Sequence, residues 1–304
     1  MSAVEAPQIT PPSTQAWAPK QAVEASSAFK QATERFFLNR PAAIGLLVAG
    51  CFLLIAILAP FLARAPYDYS TLADALQFPS ATYPLGTDAV GRDFYSRLVY
   101  GARTSMLVGF VVPTIALLIG LPLGAAAGWF GGWVDAIVAR IIEFMTAFPS
   151  ILFAVFLVSV FGGGLGKVIL FLGLTGWVGL CRLARAQFLS LREREFVIAA
   201  RAIGTPEWEI MLRHVLVNAG GPIIVSFTLG IPGAIFGEAG LSFLGLGVAD
   251  PLPSWGKMIA DAGPYASVYW YLAIIPIICI ALSMLAFSFI GDGLRDALDP
   301  YGRK

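Results

Sequence analysis

The sequence predicts an all-α polytopic membrane protein with six transmembrane helices. Three observations predict it. First, hydrophobic residues make up 58% of the 304-residue chain and charged residues only 13%, about half the charged share of a soluble domain. Second, charge-free runs recur at 41–63, 104–134, 144–166, 215–237 and 262–291, each long enough for a bilayer crossing of about 20 residues. Third, basic residues gather on one side of the resulting topology: with six spans, fourteen of the 20 Lys and Arg fall on the side of the N-terminus. By the positive-inside rule both termini are then cytoplasmic. Such a chain cannot cover itself with polar surface, which excludes a soluble enzyme or a disordered scaffold. A net charge of +1 gives no field to draw nucleic acid.

The elements follow in order. Residues 1–38 read as a mostly disordered cytoplasmic tail, with a short helix near 21–38. Pro7, Pro11, Pro12 and Pro19 deny a long helix at the start. The first span, 41–63, starts too late and runs too long for a signal peptide. An extracytoplasmic loop, 64–103, holds Arg64, Arg92, Arg97 and Arg103, the one departure from the charge bias. The second span, 104–129, carries Gly120, Gly124 and Gly128 on one face, which lets a neighbouring helix approach closely in lipid. The third span is 138–161. The fourth, 167–185, has a charge-free centre of only 14 residues, Val168 to Cys181, extended by Lys167 and Arg182 snorkelling at its ends. A cytoplasmic loop, 186–214, leads to the fifth span, 215–238. An outer loop, 239–268, is too rich in Gly and Pro to span and forms the outer rim; Trp255, Tyr265, Tyr269 and Trp270 suit an interfacial aromatic belt. The sixth span, 269–291, ends in a cytoplasmic tail, 292–304. Cys51, Cys181 and Cys279 stand far apart in or beside apolar runs and read as packing residues, without a disulfide.

The 186–214 loop is the most informative stretch. It specifies a helix over about 192–203, a corner at Gly204, and a second helix over about 206–217. Glycine is suited to the left-handed position just past a helix end. Thr205 is placed to cap the second helix, Pro206 to occupy its first turn, and Glu207 to complement its positive end. Phe196, Ala199, Ala200 and Ile203 recur at helical spacing as one apolar face, with Arg194 and Arg201 on the other. A short helix pair with an apolar stripe, tied to two spans, is either a docking element or a loop lying flat on the membrane surface.

Arg194-Glu195-Phe196-Val197-Ile198-Ala199-Ala200-Arg201-Ala202-Ile203-Gly204, then Arg213-His214-Val215-Leu216-Val217-Asn218, resembles the EAA loop of ABC importer permeases. Ile198 stands at the glutamate position of that motif, and Val217 at its proline. Three further stretches resemble the dipeptide/oligopeptide/nickel group of that family, in its second permease subunit. They are Pro84-Leu85-Gly86-Thr87-Asp88-Ala89-Val90-Gly91-Arg92-Asp93, Leu241-Ser242-Phe243-Leu244-Gly245-Leu246-Gly247, and Gly291-Asp292-Gly293-Leu294-Arg295-Asp296-Ala297-Leu298-Asp299-Pro300. The resemblance spans roughly 40–304. It implies a type I importer fold with a permease core over 104–292, in the plasma membrane of a bacterium or archaeon. It implies a heterodimer with a homologous permease, two ATP-binding subunits beneath, and an external binding protein that delivers substrate. Glu195, Phe196, Ala199, Ala200, Arg201, Gly204, Thr205 and Pro206 would form the ATPase-coupling element. ATP and Mg would reside in the partner subunits, with no cofactor on this chain. Peptides, nickel chelates, opines and glutathione-like molecules share this architecture as substrates.

Other motifs give no catalytic site. Phe161-Gly162-Gly163-Gly164-Leu165-Gly166-Lys167-Val168 lacks the first glycine and the final Ser/Thr of a phosphate loop, and reads as a helix-to-helix turn. The single histidine, His214, cannot form a metal site alone. Glu143 lies one helical turn from Arg140 and is expected to pair with it. Glu238 is the candidate gate or subunit-interface residue, against a plain boundary role. An ion-coupled secondary transporter using Glu143 or Glu238 as a proton site is the alternative function.

Overall fold

The computed structural model of the protein describes residues 25–298. The expected disorder of the first residues, and the last six residues of the C-terminal tail, lie outside that range. Among the described residues the architecture is all-helical. α1 (Ala25–Leu38) leads into α2 (Arg40–Leu62). A long loop then reaches α3 (Phe94–Phe130), followed by α4 (Gly132–Ala147), α5 (Ser150–Phe161) and α6 (Leu165–Leu191). After the short α7 (Glu195–Ala202) come the long α8 (Glu207–Phe243), α9 (Trp255–Ala262) and α10 (Tyr271–Leu298). Five of these, α2, α3, α6, α8 and α10, are long and apolar enough to cross a membrane.

A sixth span is completed only if a bent helix pair counts as one. The expected third span, 138–161, is split into α4 and α5, which meet at 79°. Pro149 explains the break: it has no N–H to donate, and it forces Phe148 into extended backbone at φ −92°, ψ 133°. The second span also differs from its expected start at 104. α3 begins at Phe94, where the Asp93 side chain accepts from the Ser96 N–H at 2.9 Å and caps the helix. The loop expected to run to 103 therefore ends at Asp93. α6 and α10 run on to Leu191 and Leu298, past the expected ends at 185 and 291. α6, 27 residues long, carries Arg182 and Arg185 within it, so the helix outruns its short apolar centre.

α3 and α6 form the most extensive interface of the fold, and the Gly120/Gly124/Gly128 face makes it. A Cβ on these glycines would lie 2.7 Å from the Trp177 carbonyl oxygen, 2.3 Å from that of Cys181 and 2.5 Å from that of Arg185. The two backbones are in contact along three turns, the arrangement that stabilises helix pairs in lipid, where packing replaces water exclusion. At the Gly128 end of this pair, Arg185 clamps Asp135 of α4 through two parallel hydrogen bonds, the Nη2–Oδ2 one at 2.6 Å. α2 and α8 flank α10, and Asn39, the cap of α2, donates to Asp296 of α10 at 3.2 Å.

The outer loop is more ordered than a rim. Ser254 caps α9, accepting from the Lys257 N–H at 3.1 Å, and α9 packs against α3, α8 and α10. Trp255, expected in an interfacial belt, is 1% exposed. Its indole N–H donates to the Leu98 carbonyl at 3.1 Å, and its ring meets Phe52 edge-on. The signal for a belt was aromatic content alone, and the helix formed by 255–262 carries the ring inward. Trp270 and Tyr265 are exposed, and Tyr269 is partly so.

Candidate functional site

α3 starts beside Arg97 and ends beside α7, so the molecule has two chemically distinct ends. At the α7 end the sequence folds as a corner. Gly204 takes φ +83°. Its N–H donates to the Arg201 carbonyl at 3.0 Å, and the Thr205 N–H to that of Ala200 at 3.1 Å, the paired bonds of a Schellman turn. Thr205 does not cap the next helix as expected. Its N–H already closes the first helix, and Pro206 sits in the capping position at φ −62°, ψ 143° with no side-chain cap bond. The second helix is not a short piece ending near 217: it passes through a π-helical turn at Ile210–Val215 and continues as α8. The corner is thus rigidly joined to a spanning helix.

The predicted apolar face divides in two. Ala200 turns inward with Val197, which the sequence reading did not include, against Phe188, Ile210, Val215 and Trp129. Phe196, Ala199 and Ile203 turn outward with Glu195; Ile203 is 83% exposed and Trp208 61%. Arg201 does not simply face solvent. It grips Glu207 through Nε at 2.7 Å and Nη2 at 3.1 Å, and its guanidinium lies 5.2 Å over the Trp129 ring. The hydrogen bonds to Glu207 raise its pKa above the usual arginine value. This end can present a shaped, partly apolar surface to another protein and pass its movement into α8.

At the opposite end, two of the four arginines that broke the charge bias, Arg92 and Arg97, are answered within the chain. Asp88 receives Arg92 Nε at 2.6 Å and faces Arg97 Nε at 3.4 Å. Arg97, 1% exposed, also donates to the Tyr67 and Pro251 carbonyls at 3.3 and 3.2 Å. Arg92 and Lys257 reach Asp250 at 3.3 and 3.2 Å. Burial pushes the Asp250 carboxyl up, but Lys257 and Arg92 together hold it below the usual carboxylate range. Asp88, Arg92, Arg97 and Asp250 border a cavity of about 430 Å³ that also touches Met258, Asp261 and Leu272.

Glu238 is fully buried and lies inside α8, not at its end. Its Oε1 accepts from Ser242 and Ser254, each at 2.6 Å. Since Ser254 also caps α9, one carboxyl group ties α8 to α9 within this chain. Glu143 pairs with Arg140 at 2.6 Å, both exposed. The Gly162–Gly164 segment is a turn between α5 and α6, closed by Lys167 donating to the Phe161 carbonyl. No group of three or more His, Cys, Asp or Glu suited to a metal occurs among the described residues.

What the sequence reading missed at the α7 end is Trp129, Val197 and Arg192. Trp129 looked like the end of a span. Only the fold shows that it meets a loop more than 70 residues on.

Residues 120–304 match the family described as binding-protein-dependent transport system inner membrane component. Residues 27–81 match the N-terminal TM domain of oligopeptide transport permease C. The dipeptide transport system permease protein DppC of Alkalihalophilus pseudofirmus is 40% identical over 282 residues, 93% of each chain. The oligopeptide transport system permease protein OppC of Bacillus subtilis is 40% identical over 280 residues, 91% of each. The glutathione transport system permease protein GsiD of Pectobacterium atrosepticum is 37% identical, covering 88% of this chain and 89% of that one. Among solved structures, an inward-facing MetNI methionine ABC transporter chain is similar at a TM-score of 0.52 and 19% identity. The match covers 65% of this chain and 96% of that one, and it shows a shared fold.

Proposed function

The chain belongs to the family of binding-protein-dependent transport system inner membrane components, and on that premise we propose that it is the second permease of an ATP-driven peptide importer. The relatives named for dipeptide, oligopeptide and glutathione transport support peptides or a closely related small solute as cargo. In this reading a homologous permease completes a heterodimer, two ATPase subunits dock on the α7 end, and an external binding protein delivers substrate to the Arg97 end. Both termini face the cytoplasm. ATP and Mg are held by the ATPase subunits. Closure of those subunits swings the docked α7 corners, and the permease pair alternates between inward and outward access as rigid bodies.

The observation that carries the reading is the α7–Gly204 corner: an outward apolar stripe on a turn fused to the spanning helix α8. The test is Gly204→Val. A β-branched residue does not adopt φ +83° without strain, so the corner reshapes while the spans remain. ATP-driven uptake is expected to vanish in cells where the variant still inserts and still assembles with the second permease. Normal uptake, or uptake driven by an ion gradient without any ATPase, would overturn the proposal. Labelling of a cysteine at position 203 by an impermeant reagent in intact cells would overturn the orientation.

A further inference from the structure

We propose that Trp129 is the positioning residue through which the docked loop moves α3. The inference rests on the reading of α7 as the ATPase contact and adds a receiver for its movement. Fusion of the corner to α8 accounts for one. Nothing covalent joins the loop to α3, yet three side-chain contacts converge on the last turn of that helix. The Arg201 guanidinium lies 5.2 Å over the Trp129 ring, within the range where ring and cation attract. Arg192, just past the end of α6, donates through Nη1 to the Gly128 carbonyl at 3.3 Å and reaches the Trp129 carbonyl at 3.5 Å. These are terminal carbonyls of α3, which lack helical partners and carry the negative end of its dipole. The third contact is apolar. Trp129, 6% exposed, packs in one cluster with Val197 and Ala200 of α7 and with Ile210 and Val215 of α8.

Arg201 is itself held by Glu207, the first residue of α8. A displacement of α7 therefore reaches α8 through the backbone and Glu207, and α3 through Trp129. α3 is a 37-residue helix, unbroken through Pro113 and Pro122 and about 55 Å long, and its far end carries Arg97 of the outer network. Movement imposed at Trp129 is delivered there along one continuous helix.

The alternative role for a buried tryptophan is to fill space, and the test separates the two. The complete transporter, with its second permease, ATPases and binding protein, is reconstituted in vesicles, and substrate imported per ATP hydrolysed is measured. Trp129→Leu keeps an apolar filler without a π face and is expected to lower that ratio about fivefold, the equilibrium factor of one partly shielded cation–π contact. Trp129→Phe keeps the face and stays near wild type. Arg201→Gln lowers the ratio at least as far, since it also frees Glu207, and the double variant is no worse than Arg201→Gln alone, because that substitution already removes the Trp129 contact. Glu207→Gln controls for the other bond of Arg201. Equal ratios for the Leu and Phe variants, or losses that multiply in the double variant, would overturn the proposal. Should Trp129→Leu fail to assemble, Arg201→Gln against Arg201→Lys makes the same comparison, since Lys also retains a cation over the ring. A wild-type complex that imports nothing on ATP would refute the functional reading instead.

Discussion

The two ends of α3 are built on opposite principles. Around Arg97 the charges other than Asp250 are mostly buried or half-buried and find partners inside the chain, Asp88 between two arginines and Glu238 between two serines. Even Trp255, on a segment the sequence marks as rim, is in the core. Around α7 the reverse holds: Ile203 and Trp208 are exposed on a segment flanked by Arg194, Glu195, Glu207 and Arg213. The Arg97 end meets most of its charges with partners in its own chain, and leaves Asp93 Oδ1, Arg97 Nη2 and Glu238 Oε2 buried without a hydrogen bond among the described residues. A region that acquires its final environment from a partner leaves apolar surface uncovered.

The sharpest way to break this contrast is Arg97→Met. Removing one member of a buried ion pair costs roughly 3–5 kcal/mol, because the remaining polar groups stay buried without their partner. Asp88 keeps Arg92, so the lower part of that range is expected, about 3 kcal/mol. The Tyr67 and Pro251 carbonyls lose a donor at the same time. Thermal unfolding of the purified complex should show a clear drop in midpoint. An unchanged midpoint would mean that the network is ornamental and that the two ends do not differ in kind.

The contrast also shows what was legible in the sequence. The apolar runs, the Gly120/Gly124/Gly128 seam and the Gly204 corner were readable because each is local: a length, a spacing of four, one residue suited to a left-handed turn. The break at Pro149 was equally local, and the charge-free window from 144 to 166 masked it, since hydropathy does not register a missing N–H. The Arg97 network was not readable. Asp88, Arg92 and Arg97 are near in sequence, but Asp250, Lys257 and Asp261 join them only once α9 packs against α3 and α8. Trp255 follows the same rule. Its ring could belong to an interface or a core, and the choice depends on Leu98 and Phe52, more than 150 residues away in sequence. At the α7 end the periodicity identified a face, but which side of it was inward depended on Trp129 and Phe188.

At the open end, Ile203→Asp is the matching experiment. An exposed side chain that contacts nothing decisive in its own chain changes stability by within about 0.5 kcal/mol. If an ATPase subunit covers it, the loss of a buried isoleucine costs roughly 1.5–3 kcal/mol of association, a weakening of about tenfold or more. Unfolding of the isolated permease pair and retention of the ATPase on it should therefore part company. Equal damage to both would show that Ile203 supports the fold, and the open end would no longer be a surface kept for a partner.

The smallest effect belongs to the rim of the closed end, where pH sharpens the comparison. Asp250 is 63% exposed, yet Lys257 and Arg92 keep its carboxyl below the ordinary range against the opposing push of burial. A carboxyl whose pKa is lower in the folded state adds stability above its unfolded value of about 3.9, and that addition is lost as pH falls through the lower folded value. The difference in unfolding midpoint between wild type and Asp250→Asn should be constant from about pH 5 to 8 and shrink below about pH 4. Its size should stay under about 1 kcal/mol, because exposed pairs are screened, and it should shrink further in high salt. A difference that ignores both pH and salt would assign the stability of this end to Arg97 and the packed helices alone, leaving Asp250 as a surface charge.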